Sequence, residues 1–291
     1  MTQVKRPSKY QVTKIYGSRF LNWRRNSSPF ISGDAFADLS DYVAFPPKNR
    51  NQKQKIEHLV NAKVIFCRSD RLQEFFSEFH KKISAKVIIA GNSDFEFHVP
   101  PESIPKSVDF LLLQNSFISD DIRFNTLPIG LENLRLGMNG KPRNFRSPKG
   151  QCARQDKVLF GPFSNTHSVR TEVAEIFSEE DYFFDLLSQR MTPKEMNACV
   201  RKYKYVAAVR GNGVDTHRLW ESLYLGASPI VFSDKWSESL RTLRLPLLYL
   251  DEWSLDSVKR IVKNESFHSF KPKDLRPLWM DYWVSKIKSY I

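Results

Sequence analysis

The chain has 291 residues, with 45 Lys and Arg against 32 Asp and Glu and a formal net charge of +13. Its 41% hydrophobic and 13% aromatic content excludes a disordered chain, and the lack of an 18-residue apolar run excludes a membrane-spanning helix. Cys67, Cys152 and Cys199 lie far apart without a CxxC or Cys–His pairing, which excludes a disulfide framework and a zinc site, fits a reducing compartment and makes a cytoplasmic location the expectation.

Residues 1–55 read as irregular. The first 33 carry seven Lys and Arg and no acid, and Ser27-Ser28-Pro29, Pro46-Pro47 and KNRNQKQK are loop signals. A short helix is expected after Ser32 or Gly33, with Asp34, Asp38 and Asp41 on a solvated face rather than at a metal. Regular alternation then begins. Residues 62–67 predict a strand, 70–82 a helix with Leu72, Phe75, Phe76 and Phe79 on its apolar side, and 86–90 a second strand ending in Gly91-Asn92-Ser93-Asp94. Residues 110–113 and 125–129 predict two more strands, and the alternation implies a parallel sheet covered by helices. Ser119-Asp120-Asp121 lacks the Asp-x-Asp spacing of a metal motif and reads as a loop. Residues 134–156, rich in Gly and Pro and basic, read as a linker.

A second series follows. Residues 158–160 predict a strand, and Ser168 or Thr166 is expected to cap a helix reaching 177. Thr192-Pro193 opens another helix. Later elements are a helix at 237–243, a strand at 247–250 and a helix at 255–262. A last amphipathic helix at 277–291 bears Leu278, Trp279, Tyr282, Trp283 and Ile287. It is expected to pack across two domains, the alternative being a membrane interface for its aromatics.

Between these lies YVAAVRGNGVDTHRLWESLYLGASPIVFSD, residues 205–234. A buried strand ends at Arg210, Gly211-Asn212-Gly213 breaks it, and Asp215 or Thr216 is expected to cap a helix that Gly226 closes before a second strand. This strand–loop–helix–strand unit places polar groups where open α/β sheets bind ligands. His217, Glu221 and Tyr224 share one helix face, while Leu219, Trp220 and Leu223 suit the core. A guanidinium and a helix N-terminus suit phosphate, and a carboxylate suits sugar hydroxyls. An ordinary αβ turn with a surface salt bridge is the alternative. No third Gly gives a dinucleotide fingerprint, and no Gly-Lys-Ser/Thr gives a P-loop.

Within this stretch, Arg210-Gly211, Arg218-Leu219-Trp220-Glu221-Ser222-Leu223, Leu225-Gly226 and Pro229-Ile230-Val231 occur in the order and spacing of the carboxyl-terminal signature of exostosin-like glycosyltransferases, which the chain resembles. The resemblance implies a GT-B-like α/β fold with two Rossmann-like domains whose parallel sheets face a central cleft. The domains would be 1–140 on the acceptor side and 155–270 for the nucleotide-sugar, with a helix at 271–291. It also implies sugar transfer from a nucleotide-sugar, a UDP-sugar foremost, to a hydroxyl of a glycan or lipid-linked saccharide.

Glu221 would then hold the donor ribose, and Arg210 and Arg218 the diphosphate. Gly211 and Gly213 would allow close backbone approach, with His217, Asn165 and Thr166 as further donor contacts. Asp94 would be the base, although Phe95 stands where the family often has a His. No metal or other cofactor is called for. The basic amino terminus could touch an anionic membrane surface. Two alternatives remain: a basic nucleic-acid-binding protein, set against the lack of a recognisable nucleic-acid module, and an inactive transferase-like protein that only binds glycan or nucleotide.

Overall fold

Continuous runs of Val, Ile and Leu, rather than alternating ones, build the strands of the first unit, as a sheet covered on both faces requires. The structure, a computed structural model, describes residues 26–45, 56–137, 139–145, 153–179, 181–264 and 267–291. The basic stretch at 1–25, the run at 46–55, Cys152 and much of the expected linker lie outside them. The first unit comprises α1 (Gly33–Ala37), β1 (Tyr42–Val43), α2 (Ile56–Asn61), β2 (Val64–Arg68), α3 (Leu72–Phe79), β3 (Val87–Gly91), β4 (Phe110–Leu113) and β5 (Phe124–Thr126). Its five strands are parallel and lie side by side in chain order. One face, with Ile65, Ile88 and Leu111, packs on Phe75 and Phe76 of α3. The opposite face, with Phe66, Ile89 and Leu112, turns towards the second unit.

The second unit comprises β6 (Gln155–Phe160), α4 (Ser168–Ile176), β7 (Phe184–Leu186), α5 (Pro193–Val200), β8 (Tyr203–Ala207), α6 (His217–Leu225), β9 (Ser228–Phe232), α7 (Lys235–Ser239), β10 (Leu248–Leu250) and α8 (Leu255–Asn264). Its five strands are again parallel, in the order β10-β9-β8-β6-β7, so the winding reverses between β6 and β8. Thr192 and Glu195 form a full capping box on α5, and Gly226 ends α6 at φ +80°, a conformation that favours glycine. The cap of α4 differs from expectation: His167 Nδ1, rather than Ser168 or Thr166, accepts the Val169 N–H at 3.3 Å. Thr216 occupies the N-cap of α6 without a side-chain cap bond.

The two parallel sheets give the expected GT-B-like layout, with one apolar core running between the units. It contains Phe36, Phe66 and Leu112 of the first together with Leu159, Trp220 and Trp236 of the second. The final helix, α9 (Met280–Lys288), returns to the first unit. There Lys286 Nζ donates to Asn125 Oδ1 at 3.1 Å, Tyr290 stacks on Phe110 at 4.3 Å, and Trp283 meets Phe36 edge-on at 5.5 Å. Trp283 and Ile287 are buried, so this face of the helix packs in the protein core, as expected of a helix crossing between the units. Among the described residues no helix is long and apolar enough to cross a membrane.

Tyr224 ties both chain segments to α6. Its hydroxyl accepts the Ile31 N–H at 3.0 Å and donates to the Leu278 carbonyl. Its ring lies among Phe30, Phe145 and Trp279. Tyr224→Phe keeps the ring and orphans two buried backbone groups, which is expected to cost about 1–3 kcal/mol in denaturant unfolding. Equal midpoints and slopes for the two proteins would remove the hydroxyl from the account.

Of the solvated acidic face expected at 34–41, only Asp41 is exposed. Asp34 is buried, accepts from Asn92 Nδ2 at 3.3 Å and pairs with Arg135 Nε at 3.2 Å. Asp38 accepts from Asn26, and Asp41 takes the N–H groups of Lys63 and Val64. Each carboxylate thus ties its helix or strand to other parts of the chain.

Candidate functional site

In a doubly wound sheet, the loops leaving two neighbouring strands on either side of the reversal diverge and open a crevice at the strands' carboxyl ends. Here those strands are β6 and β8, and their loops run through 161–167 and 208–216. Arg170, in the first turn of α4, stitches them together. Its Nε–H donates to the Arg210 carbonyl at 2.9 Å and its Nη2 to Val209 O at 3.2 Å. Its Nη1 reaches Ser164 O at 3.1 Å and Thr166 Oγ1 at 2.9 Å. Gly211 makes this approach possible: a Cβ there would lie 2.9 Å from Arg170 Nη2 and 3.1 Å from Thr166 Oγ1.

Burial, and after it the Arg218 charge, pull the Arg170 pKa below its ordinary value. Two guanidiniums held near one another with part of their water removed form a site of strong positive potential. Arg218, at the start of α6, donates through Nη1 to the Gly161 carbonyl at 3.4 Å, and its Nε lies 3.7 Å from Glu221 Oε2. Glu221 has 12% of its side chain exposed, so it lies beside the cations at the helix start rather than out in solvent.

Arg210 turns the other way, across to the first unit. Its Nη2 donates to Glu96 Oε1 at 2.5 Å, the carboxylate belonging to the loop that leaves β3. Among the described residues, the Arg210 Nε and the Thr216 Oγ1 are both buried without a hydrogen-bond partner. Asp234 lies within the field of Arg210, although burial is the larger influence and raises its carboxyl above the usual range.

The rest of the β8–α6 loop seats the first unit. Gly213 packs on Asn115, where a Cβ would come within 2.7 Å of Nδ2. The Asp215 N–H donates to Asn115 Oδ1 at 2.9 Å, and the Asp215 carboxylate accepts from Ile129 N and Trp220 Nε1, each at 2.8 Å. Burial pushes the Asp215 carboxyl up to about 7, against the opposing effect of those bonds. His217 Nδ1 lies 2.8 Å from the Gly130 carbonyl, so that nitrogen carries the proton.

Of the residues the sequence singled out, Thr166, Gly211 and the Arg210 carbonyl therefore gather around Arg170, Arg218 lies within its field with Glu221 beside it, and the Arg210 side chain reaches Glu96. Gly213 and His217 face the first unit instead: the close approach that Gly213 permits is that of Asn115. Asn165 and Asp94 stand exposed on their loops. Two residues went unrecognised. Arg170 sits one turn into a helix that follows a strand-end loop, a position that could have marked it. Glu96 lies two residues beyond Asp94, and only the fold shows that it reaches Arg210. Among the described residues no group of three or more His, Cys, Asp or Glu is placed to hold a metal ion.

No family model and no curated protein matches the chain. Among solved structures it is similar to AviGT4, a glycosyltransferase involved in avilamycin A biosynthesis, with a TM-score of 0.38 and 11% identity over 86% of this chain and 96% of that one.

Proposed function

We propose that the chain is a glycosyltransferase that takes a sugar from a nucleotide-sugar donor, a UDP-sugar foremost, to a hydroxyl of a glycan or lipid-linked saccharide. The observation that carries this reading is the pair of guanidiniums Arg170 and Arg218 at the switch point of the second sheet, with Glu221 beside Arg218 and with Arg210, on the loop after β8, paired to Glu96 of the first unit. Sugar transfer builds negative charge on the departing diphosphate. Preorganised guanidiniums and the first turns of α4 and α6 are suited to offset it, in a role that a bound cation fills elsewhere. Glu221 accepts hydrogen bonds only and fits the hydroxyls of the donor ribose. The exostosin-like spacing of Arg210-Gly211 and of the run from Arg218 to Leu223 supports the same assignment.

A panel of UDP- and GDP-linked hexoses and pentoses tests it, with thermal shift for binding and sugar release for turnover. One donor is expected to raise the melting temperature and to be hydrolysed slowly. Glu221→Ala is expected to weaken that donor about tenfold or more, the loss of one or two hydrogen bonds to a charged group. A panel with neither binding nor release would end the proposal. Binding without release to water or any saccharide would leave a transferase-like binding protein.

A further inference from the structure

Glu96 comes from the first unit and Arg210 from the second, yet they form a half-buried ion pair across the mouth of the arginine site, with 19% and 29% of their side chains exposed. The pair is incomplete on the arginine side, since the buried Nε–H of Arg210 has no acceptor among the described residues. Glu96 Oε2 in turn lies 3.3 Å from His98 Nε2, and the His98 ring is stacked on Phe117 at 4.6 Å. The carboxylate is thus held at the boundary between the units by one cation and one imidazole. Beside it Phe95, 47% exposed and edge-on to Phe97, offers an aromatic face of the kind on which a sugar ring packs.

From this arrangement we infer that Glu96 is the base for the acceptor hydroxyl and that Arg210 holds it inactive until a diphosphate binds. The inference rests on the nucleotide-sugar reading above. A diphosphate beside Arg170 and Arg218 satisfies the free Nε–H of Arg210 and draws its guanidinium off the carboxylate. Glu96 is then left facing the acceptor side with no cation. The acceptor O–H proton passes to a Glu96 oxygen, and the acceptor oxygen forms the new bond to the anomeric carbon. The bond from that carbon to the phosphate oxygen breaks with its electron pair on the diphosphate, held by the arginines. One displacement gives a product of the opposite anomeric configuration, and the donor binds before the acceptor. Asp94 stands exposed on the same loop.

The test uses the full chain and its Glu96→Gln variant, which keeps the shape and removes the charge, with thermal melts confirming that both fold. UDP and GDP are titrated into each, and hydrolysis of a UDP- or GDP-hexose is followed by NMR, water standing in for the acceptor. The variant is expected to bind the diphosphate about three- to tenfold more tightly, because its competitor for Arg210 is gone. Its hydrolysis should fall about 100-fold or more, the usual size of a lost general base. Wild type should release the inverted anomer. Weaker diphosphate binding in Glu96→Gln, undiminished hydrolysis, a retained anomer, or a hydrolytic loss in Asp94→Asn that Glu96→Gln does not share would each overturn the inference. If wild type binds neither diphosphate, the nucleotide-sugar reading itself has failed, an outcome distinct from all of these.

Discussion

Arg170→Ala is expected to lower the affinity for a nucleoside diphosphate by about two orders of magnitude, on the basis of about 1.5–3 kcal/mol for hydrogen bonds to a charged group and tenfold per 1.4 kcal/mol. The size of the effect follows from two roles in one side chain. Arg170 supplies a partly desolvated cation beside Arg218, and its guanidinium fixes both strand-end loops through four acceptors. Removing it takes away charge and also lets Gly211 and Arg210 drift from the geometry that presents them. Arg170→Lys keeps the charge but, as a point cation, cannot span the same four acceptors, so it should recover only part of the affinity. Calorimetric titration of UDP into the three proteins reads this directly, with melts as the control. The alanine loss in stability should stay near about 1–3 kcal/mol, the cost of leaving such acceptors without a partner. Equal affinities in all three would reduce Arg170 to a staple between loops.

Asp215→Ala is expected to cost the fold about 3–5 kcal/mol. It leaves the buried Trp220 Nε1–H and the partly buried Ile129 N–H without their acceptor and opens a void beneath α6. The loss should depend on pH with a definite sign. Burial raises the Asp215 carboxyl to about 7, above the value near 3.9 expected of an unfolded Asp. The fold therefore favours the protonated form. This group's contribution is fully present below about pH 4 and is lost as pH rises through about 7. The difference in unfolding free energy between wild type and Asp215→Ala should accordingly be larger at pH 5 than at pH 8. Urea titrations of both proteins at the two values check it, and a difference that grew with pH would reverse the assignment.

Local pattern and spacing made much of this protein legible. The apolar runs of β3, β4 and β9, the Thr192-Pro193 start of α5 and the Gly226 end of α6 are signals contained in a few neighbouring residues. So are Arg210, Arg218 and Glu221, which are set by strand end and helix periodicity. What stayed hidden depends on partners distant in sequence. Asp34 reads as a surface residue until Asn92 and Asn133 fold over it from 58 and 99 positions away. Gly213 and His217 look like ligand contacts because a glycine loop and a helix N-terminus resemble a ligand cradle from within. Their real neighbours, Asn115 and Gly130, lie in the other unit. β1 and β7 are too short, at two and three residues, to carry a period. Glu96 lies outside what the family resemblance implies, which points to Asp94 on the same loop.

The central claim is that the crevice between β6 and β8 receives the diphosphate of a sugar nucleotide. Calorimetric titration of uridine, UMP and UDP, and of the matching guanosine series, into wild type and Arg218→Ala tests this most directly. In one of the two series affinity should climb with each phosphate in wild type, and Arg218→Ala should flatten that climb while leaving nucleoside binding unchanged. Nucleosides binding as tightly as their diphosphates, or a diphosphate affinity indifferent to Arg218, would contradict it.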